Sequence, residues 1–164
     1  MLTRDDVDAV LELGADPLVR HYSGRLIDTE DDALSLAGRA DERWQTRTGV
    51  DWAVCSGNLL VGTIGFGETR PQHAMVGYML SPAGRGRGVA TAAVRAGTAT
   101  VFDLLDIHRI VLSHSVDNVG SCRVATKSGY ALEGTARHGM RYPADGRWSD
   151  EHVHARLSTD PPIG

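Results

Sequence analysis

Residues 82–91 read Pro82-Ala83-Gly84-Arg85-Gly86-Arg87-Gly88-Val89-Ala90-Thr91, and they lie between a predicted strand and a predicted helix. Glycine has no Cβ and tolerates positive φ, so glycine at alternate positions lets successive backbone N–H groups converge on one anion. The first turn of the following helix adds N–H groups without intrahelical partners, and the two arginines add positive charge. The segment therefore predicts a diphosphate-binding site. The alternative is a flexible turn that carries two solvated arginines.

Two common nucleotide-binding motifs do not fit this segment. A P-loop needs Gly-Lys-Ser/Thr after its turn, where this chain has Gly88-Val89-Ala90. A dinucleotide-binding fingerprint needs a glycine at the sixth position counted from Gly84, and that position is Val89. The pattern disfavours both nucleotide hydrolysis and dinucleotide binding.

On both sides of the loop, hydrophobic periodicity predicts alternating helices and strands. Helices are expected at 3–13, 29–48, 89–105 and 119–128, and strands at 50–56, 59–67, 73–80, 109–115, 130–137 and 151–157. Gly57-Asn58 is typical of a tight hairpin, so the first three strands predict an antiparallel meander. We therefore expect an α/β fold in one domain, residues 1–157, with a mixed and mostly antiparallel central sheet and flanking helices. Residues 158–164, which include Pro161-Pro162, are expected to form a loose C-terminal tail.

Composition excludes several classes of protein. The 164 residues carry a formal net charge of −4, which opposes the phosphate contacts of a nucleic-acid binder. No apolar run approaches the roughly 18–20 residues of a membrane helix and the start does not resemble a signal peptide, so we expect a cytoplasmic protein without membrane contact. Cys55 and Cys122 are expected to be reduced structural thiols. His152 and His154 point to one side of a strand, but no third ligand is evident, so we expect no metal site.

Three further segments extend the pattern of the loop. Arg85-x-x-Gly88-x-Ala90 fits the motif R/Q-x-x-G-x-G/A, with Gly77-Tyr78-Met79-Leu80-Ser81-Pro82 before it and Asn118-Val119-Gly120-Ser121 after it. On these residues the chain resembles the GNAT superfamily of N-acetyltransferases over most of 1–157. Its final hairpin, Asp145-Gly146-Arg147-Trp148-Ser149-Asp150, is similar to that of the subgroup that acetylates the N-terminal alanine or serine of ribosomal proteins.

The resemblance implies direct acetyl transfer from acetyl-coenzyme A to a primary amine, either a peptide N-terminus or a small molecule. It implies cofactor-binding roles for Met79, Leu80, Arg85, Gly86, Arg87, Gly88, Val89, Ala90 and Asn118. Of these, residues 85–90 would hold the pyrophosphate, while Met79 and Leu80 would contact the pantetheine arm and polarise the thioester carbonyl. It further implies a splayed strand pair that holds the cofactor, with a bulge at Gly77, and Ser121 as the proton donor to the sulfur. The alternative for Asn118 and Ser121 is that they only cap a helix.

The general base is less clearly marked than the cofactor loop. Many relatives carry Glu where this chain has Met75, which cannot take a proton. Histidine has an ordinary pKa near 6.5 and can serve as a base at neutral pH. The catalytic candidates are His138 first, then His73, then His114. No base is needed if the amine is already neutral.

Three alternatives remain open from the sequence. A non-catalytic acyl-coenzyme A sensor, or an acyl-coenzyme A hydrolase or longer-chain acyltransferase, would use the same cofactor loop. Relatives usually begin with a strand, so either the start codon is misplaced or the sheet lacks an edge strand that a homodimer partner covers.

The substrate pocket is expected in residues 18–30 and 135–150.

Overall fold

The predicted meander forms in the computed structural model, which describes residues 1–162. It consists of β1 (Gly49–Ser56), β2 (Leu59–Arg70) and β3 (His73–Leu80). Three more strands, β4 (Arg109–Ser115), β5 (Ala131–Arg141) and β6 (Trp148–Leu157), complete a sheet of order β1-β2-β3-β4-β6-β5. The β3–β4 pair is parallel and the other four pairs are antiparallel, which confirms the mixed, mostly antiparallel sheet.

Five α-helices cover the two faces of this sheet. They are α1 (Val7–Ala15), α2 (Pro17–Tyr22), α3 (Glu30–Thr46), α4 (Val89–Leu104) and α5 (Val119–Lys127). One apolar cluster, built around the buried Phe66 and Ile110, lies between the sheet and helices α4 and α5. A second, built around Val10 and Leu36, lies between the sheet and helices α1 and α3. Strand side chains that alternate toward one face supply more than half of the first cluster, whereas the buried members of the second come from residues 2–40.

Helix α2 is an element that the periodicity did not predict. Asp16 caps it by accepting hydrogen bonds from the N–H groups of Leu18 (3.0 Å) and Val19 (2.9 Å), and Pro17 occupies its first turn. Asp before Pro is a helix-start signal, but six residues are too few for a hydrophobic period to be recognised.

Strands β3 and β4 separate along their length. They pair at three positions, from His73 opposite Arg109 to Met75 opposite Val111, and β3 then continues to Leu80 without pairing to β4. This separation confirms the splayed strand pair and opens a wedge that points toward the 82–91 loop. The expected bulge at Gly77 is wrong, because the β2–β3 register is regular there and shifts only near Glu68. The two strands diverge because β4 stays paired with β6 along its whole length, while β3 stays paired with β2.

The two ends of the described chain lie against the sheet. The N–H of Leu2 donates to the carbonyl of Asp51 on the edge strand β1 at 3.0 Å. Within the predicted tail, the N–H of Ser158 donates to the carbonyl of His108 at 2.9 Å, while residues 163–164 lie outside the described residues. No helix within residues 1–162 combines the length and apolar character needed to cross a membrane.

Candidate functional site

The glycine-rich loop ends in an open row of backbone donors. Gly86 and Gly88 have φ of 72° and 78°, a conformation that glycine adopts without strain. A Cβ placed on either residue meets no atom within 4 Å, so the space beside both is open. The first backbone hydrogen bond of α4 is donated by the N–H of Ala92 to the carbonyl of Gly88. Within the described chain, the N–H groups of residues 86–91 are therefore available to an external acceptor.

The two arginines of the loop have different surroundings. Arg85 forms a bidentate ion pair with Asp16, in which Nη1 of Arg85 lies 3.3 Å from Oδ2 of Asp16 and Nη2 contacts Oδ1. The Arg85 guanidinium holds the pKa of the Asp16 carboxyl below its usual value. Arg87 is exposed and has no ion-pair partner among residues 1–162. Arg85 thus connects the loop to α2, whereas the charge of Arg87 is free.

The start of α5 lies across the wedge from β3. The Tyr78 hydroxyl, on the unpaired part of β3, donates to Ser121 Oγ at 3.0 Å. Asn118 Oδ1 accepts from the N–H of Ser121 at 3.0 Å, so Asn118 caps the helix, and its side-chain NH2 remains available to a ligand. Burial raises the pKa of Tyr78. Sequence reasoning missed Tyr78; the signal was a polar tyrosine in the strand that precedes the loop.

Met79 and Leu80 also lie in the part of β3 that β4 does not pair with, and both are half-buried. The pantetheine-binding role assigned to these two residues stays a prediction.

The candidate bases lie at separate places. His138 is exposed at the bulge of β5, where its N–H donates to Asp150 Oδ1 at 2.8 Å and its ring stacks on Trp148. His73 lies where β3 and β4 are still paired, and its Nδ1 is 3.0 Å from the carbonyl of Pro71. At roughly 3.3 Å per residue, His73 lies about 16 Å along β3 from Tyr78. The structure does not bring His138 and His73 together.

The two segments expected to form the substrate pocket meet beside α5. Arg147 of the β5–β6 turn donates to the carbonyl of His21 at 2.8 Å and lies over the Tyr142 ring at 4.2 Å. The Tyr22 hydroxyl donates to the carbonyl of Asp117, next to the start of α5, at 3.4 Å. The end of α2 and this turn therefore form one wall near Ser121.

A buried carboxyl under the β5–β6 turn was missed by the sequence reasoning. Glu151 accepts hydrogen bonds from the Tyr142 hydroxyl (3.0 Å) and the Ser113 hydroxyl (3.4 Å). It is only 4% exposed, and burial raises the pKa of this carboxyl above its usual range. An acid at an inward-facing strand position was the available signal.

A histidine cluster lies beside α5. His114 is buried, with Nδ1 2.8 Å from the carbonyl of Ser115 and Nε2 3.3 Å from Nε2 of His154. Burial lowers the pKa of both rings. Cys122 and His152 complete the group, so the expectation that His152 and His154 lack a third ligand-type neighbour is wrong. His114 and Cys122 come from other elements, and no local spacing reveals them.

The acetyltransferase (GNAT) domain family matches residues 1–131. This chain belongs to the GNAT acetyltransferase family. The GNAT match includes the 82–91 loop, the β3–β4 wedge and α5, so the family expected from the loop is confirmed.

Named relatives agree with the GNAT assignment. The chain is 36% identical over 108 residues to Probable N-acetyltransferase YjcK of Bacillus subtilis (strain 168), covering 64% of this chain and 59% of YjcK. It is 29% identical over 100 residues to the Ribosomal-protein-serine acetyltransferase of Escherichia coli (strain K12), covering 60% of this chain and 55% of that protein. The matches to these two relatives span less than two thirds of their length.

A solved structure of RimL, a ribosomal L7/L12 alpha-N-protein acetyltransferase in complex with coenzyme A, shares the fold. Its TM-score is 0.85 at 20% identity, covering 94% of this chain and 89% of RimL.

Proposed function

We propose that this protein is an N-acetyltransferase that uses acetyl-coenzyme A and transfers the acetyl group to a primary amine in a ternary complex. The observation that carries the proposal is the row of N–H donors at 86–91, placed where β3 has separated from β4. A peptide N-terminus is the favoured amine, because one curated relative is named a ribosomal-protein-serine acetyltransferase and the RimL structure is an alpha-N-protein acetyltransferase. We place the reaction in the bacterial cytoplasm, where ribosomal proteins are made.

The loop and α5 divide the binding of acetyl-coenzyme A. Residues 85–90 hold the pyrophosphate with backbone N–H groups and two guanidiniums, which suits a doubly charged group. The backbone of Met79 and Leu80 binds the pantetheine arm, because this part of β3 has no neighbouring strand on its β4 side. The Asn118 side-chain NH2 donates to the same arm.

Acetyl transfer requires three further contributions from the chain. A backbone N–H of β3 stabilises the negative charge that develops on the thioester oxygen when the amine attacks. The new C–N bond forms, the C–S bond breaks, and Ser121 gives its hydroxyl proton to the departing thiolate. Tyr78 donates to Ser121 Oγ and replaces that proton, and Tyr78 regains a proton from solvent, so the two hydroxyls form a relay.

The proton that the amine loses goes to a base or to solvent. His138 remains the first candidate base because it lies in the segment that forms the pocket wall, and His73 comes after it because the strands are still paired there. Transfer proceeds without a protein base where the amine arrives neutral.

Two assays test the proposal. Calorimetry with acetyl-coenzyme A on an Arg85→Ala/Arg87→Ala variant should show clearly weaker binding than the wild type. Arg4→Ala/Arg70→Ala, which removes the same charge elsewhere on the surface, is the matched control. Equal affinity in all three proteins would remove the assignment of the loop.

Thiol release measured over ribosomal N-terminal peptides and small amines then tests turnover. Amine-dependent release with an acetylated product by mass spectrometry is the expected result. Binding without release would favour a sensor, and release without any amine would favour a hydrolase. Transfer only from longer acyl thioesters would favour the longer-chain acyltransferase.

A further inference from the structure

Four metal-ligand side chains from three elements converge where α5 packs on the sheet. His114 lies on β4, Cys122 on α5, and His152 and His154 on β6. One ligand atom from each of the four lies within 4.8 Å of the ligand atoms of the other three. The acetyl-transfer chemistry proposed above uses none of the four.

The hydrogen bonds of the two buried rings fix where their protons are. Nδ1 of His114 lies 2.8 Å from the carbonyl of Ser115, and Nδ1 of His154 lies 3.4 Å from the carbonyl of Tyr130. A carbonyl oxygen only accepts, so each Nδ1 carries the proton and each neutral ring has its lone pair on Nε2. The two Nε2 atoms are 3.3 Å apart. Two lone pairs at this distance repel each other unless they share a cation.

Two more potential ligands border the same point. Nδ1 of His152 is buried and has no hydrogen-bond partner within residues 1–162. Such an atom forfeits a hydrogen bond to water, and coordination would compensate for that loss. Cys122 is a free, half-buried thiol. A shared proton would involve only His114 and His154, whereas a metal ion uses all four side chains.

The distances and the donor set favour zinc. Zn–N bonds of about 2.0–2.1 Å in a tetrahedron place neighbouring nitrogens about 3.3 Å apart, which is the separation of the two Nε2 atoms. The widest separation in the cluster is longer than a tetrahedral edge, so coordination of all four side chains requires the half-buried Cys122 and His152 to rotate inward. Metal-binding histidines usually donate their second N–H to a carbonyl or carboxylate, as His114 and His154 do here.

We propose that His114, Cys122, His152 and His154 form a tetrahedral site for a divalent first-row transition ion, with zinc as its occupant. The ion connects α5 to β4 and β6. It therefore fixes the helix that carries Asn118 and Ser121, at a distance from the reacting atoms. Because an unfolded chain lacks this arrangement, the ion stabilises the folded state by an amount that grows with the logarithm of its affinity.

The test uses the full chain without a histidine tag, purified from zinc-supplemented cells. The expected results are one zinc per chain by elemental analysis and a lower thermal midpoint after chelation that zinc restores. Titration of the metal-free protein with Co²⁺ should give tetrahedral visible bands and a thiolate-to-cobalt band in the near ultraviolet. Absence of stoichiometric zinc, with a midpoint that zinc does not change, would overturn the proposal and leave a shared proton between the two rings.

Variants with matched controls locate the site. Cys122→Ser should abolish the thiolate band, while Cys55→Ser, at an exposed free cysteine, should leave it unchanged. His152→Ala should weaken Co²⁺ binding by more than the roughly 10–100-fold that loss of a supporting contact costs, and His108→Ala should not. Cys122→Ser is the decisive variant if His152→Ala does not fold. Loss of binding in either control, or an unchanged band in Cys122→Ser, would place the ion elsewhere and contradict the proposal.

Discussion

The ion pair between Asp16 and Arg85 gives a quantitative test of the electrostatics of the loop. Asp16→Asn keeps the cap of α2, because asparagine Oδ1 accepts from the same two N–H groups, and it removes the charge and the Oδ2 acceptor opposite Arg85. The Asp16 and Arg85 side chains are 11% and 30% exposed, so the pair contributes about 0.5–1 kcal/mol to the free energy of unfolding. In a protein of this size that corresponds to a thermal midpoint lower by about 1–4 °C.

The same substitution should tighten the binding of coenzyme A. A guanidinium that lies between two hydrogen-bonded oxygens keeps them about 8 Å apart. If Arg85 lies between Asp16 and the diphosphate, the wild-type carboxylate repels a diphosphate of charge about −2 by roughly 1 kcal/mol in water, and Asp16→Asn removes this repulsion. Salt screening at about 0.15 M reduces this to roughly 0.4–1 kcal/mol, a twofold to fivefold lower Kd. Calorimetry at two salt concentrations measures the effect, and it should shrink at high salt. Glu12→Gln on α1, an exposed carboxyl, is the control for net charge.

The contribution of the Asp16–Arg85 ion pair to stability should depend on pH. The pKa of Asp16 is lowered in the folded state, so the ion pair stabilises above the ordinary value of 3.8 and its contribution is lost as the pH falls through the folded value. The stability difference between the wild type and Asp16→Asn should therefore vanish in strong acid. Weaker coenzyme A binding by Asp16→Asn, or an equal gain in Glu12→Gln, would refute the reasoning.

Three further predictions concern the relay, the buried acid and the core. Ser121→Ala should lower kcat by about 10²-fold and leave the Kd for acetyl-coenzyme A nearly unchanged, while Tyr78→Phe should lower kcat by about tenfold or less; equal losses would contradict the order of the relay. Burial raises the pKa of Glu151, so the neutral carboxyl that suits its buried position is lost as the pH rises from 4.5 through the raised value. Over that range the free energy of unfolding, measured by urea titration, should fall more for the wild type than for Glu151→Gln. Gly97→Ala places a Cβ 2.5 Å from a buried aromatic ring and should destabilise by about 1–3 kcal/mol, whereas Gly38→Ala, in open space on α3, should stabilise; the same sign for both in thermal melts would contradict the packing.

The meander and the loop could be predicted from the sequence most clearly, because the glycines that indicate them lie next to one another in the chain. Gly57 has the positive φ that the hairpin at Gly57-Asn58 requires, and the loop glycines Gly86 and Gly88 do likewise. Strand β5 was predicted to end at residue 137 but runs to Arg141, because a bulge between Ala136 and Met140 absorbs the extra residues without ending the pairing.

The side-chain groupings beside the loop were largely outside the reach of sequence reasoning. The Tyr78–Ser121 bond joins residues 43 positions apart, and the Arg85–Asp16 pair joins residues 69 positions apart. Such contacts depend on how β3, α2 and α5 meet, and no spacing along the chain specifies that. The same is true of the cluster that includes His114, whose members belong to three elements.

Amide NMR during titration with coenzyme A tests the central claim most directly. If backbone donors at the start of α4 hold the diphosphate, the N–H resonances of residues 86–91 should show the largest shifts, and pantetheine without the diphosphate should leave them nearly unchanged. Resonances at 86–91 that do not move, while the largest shifts lie elsewhere in the chain, would contradict the account.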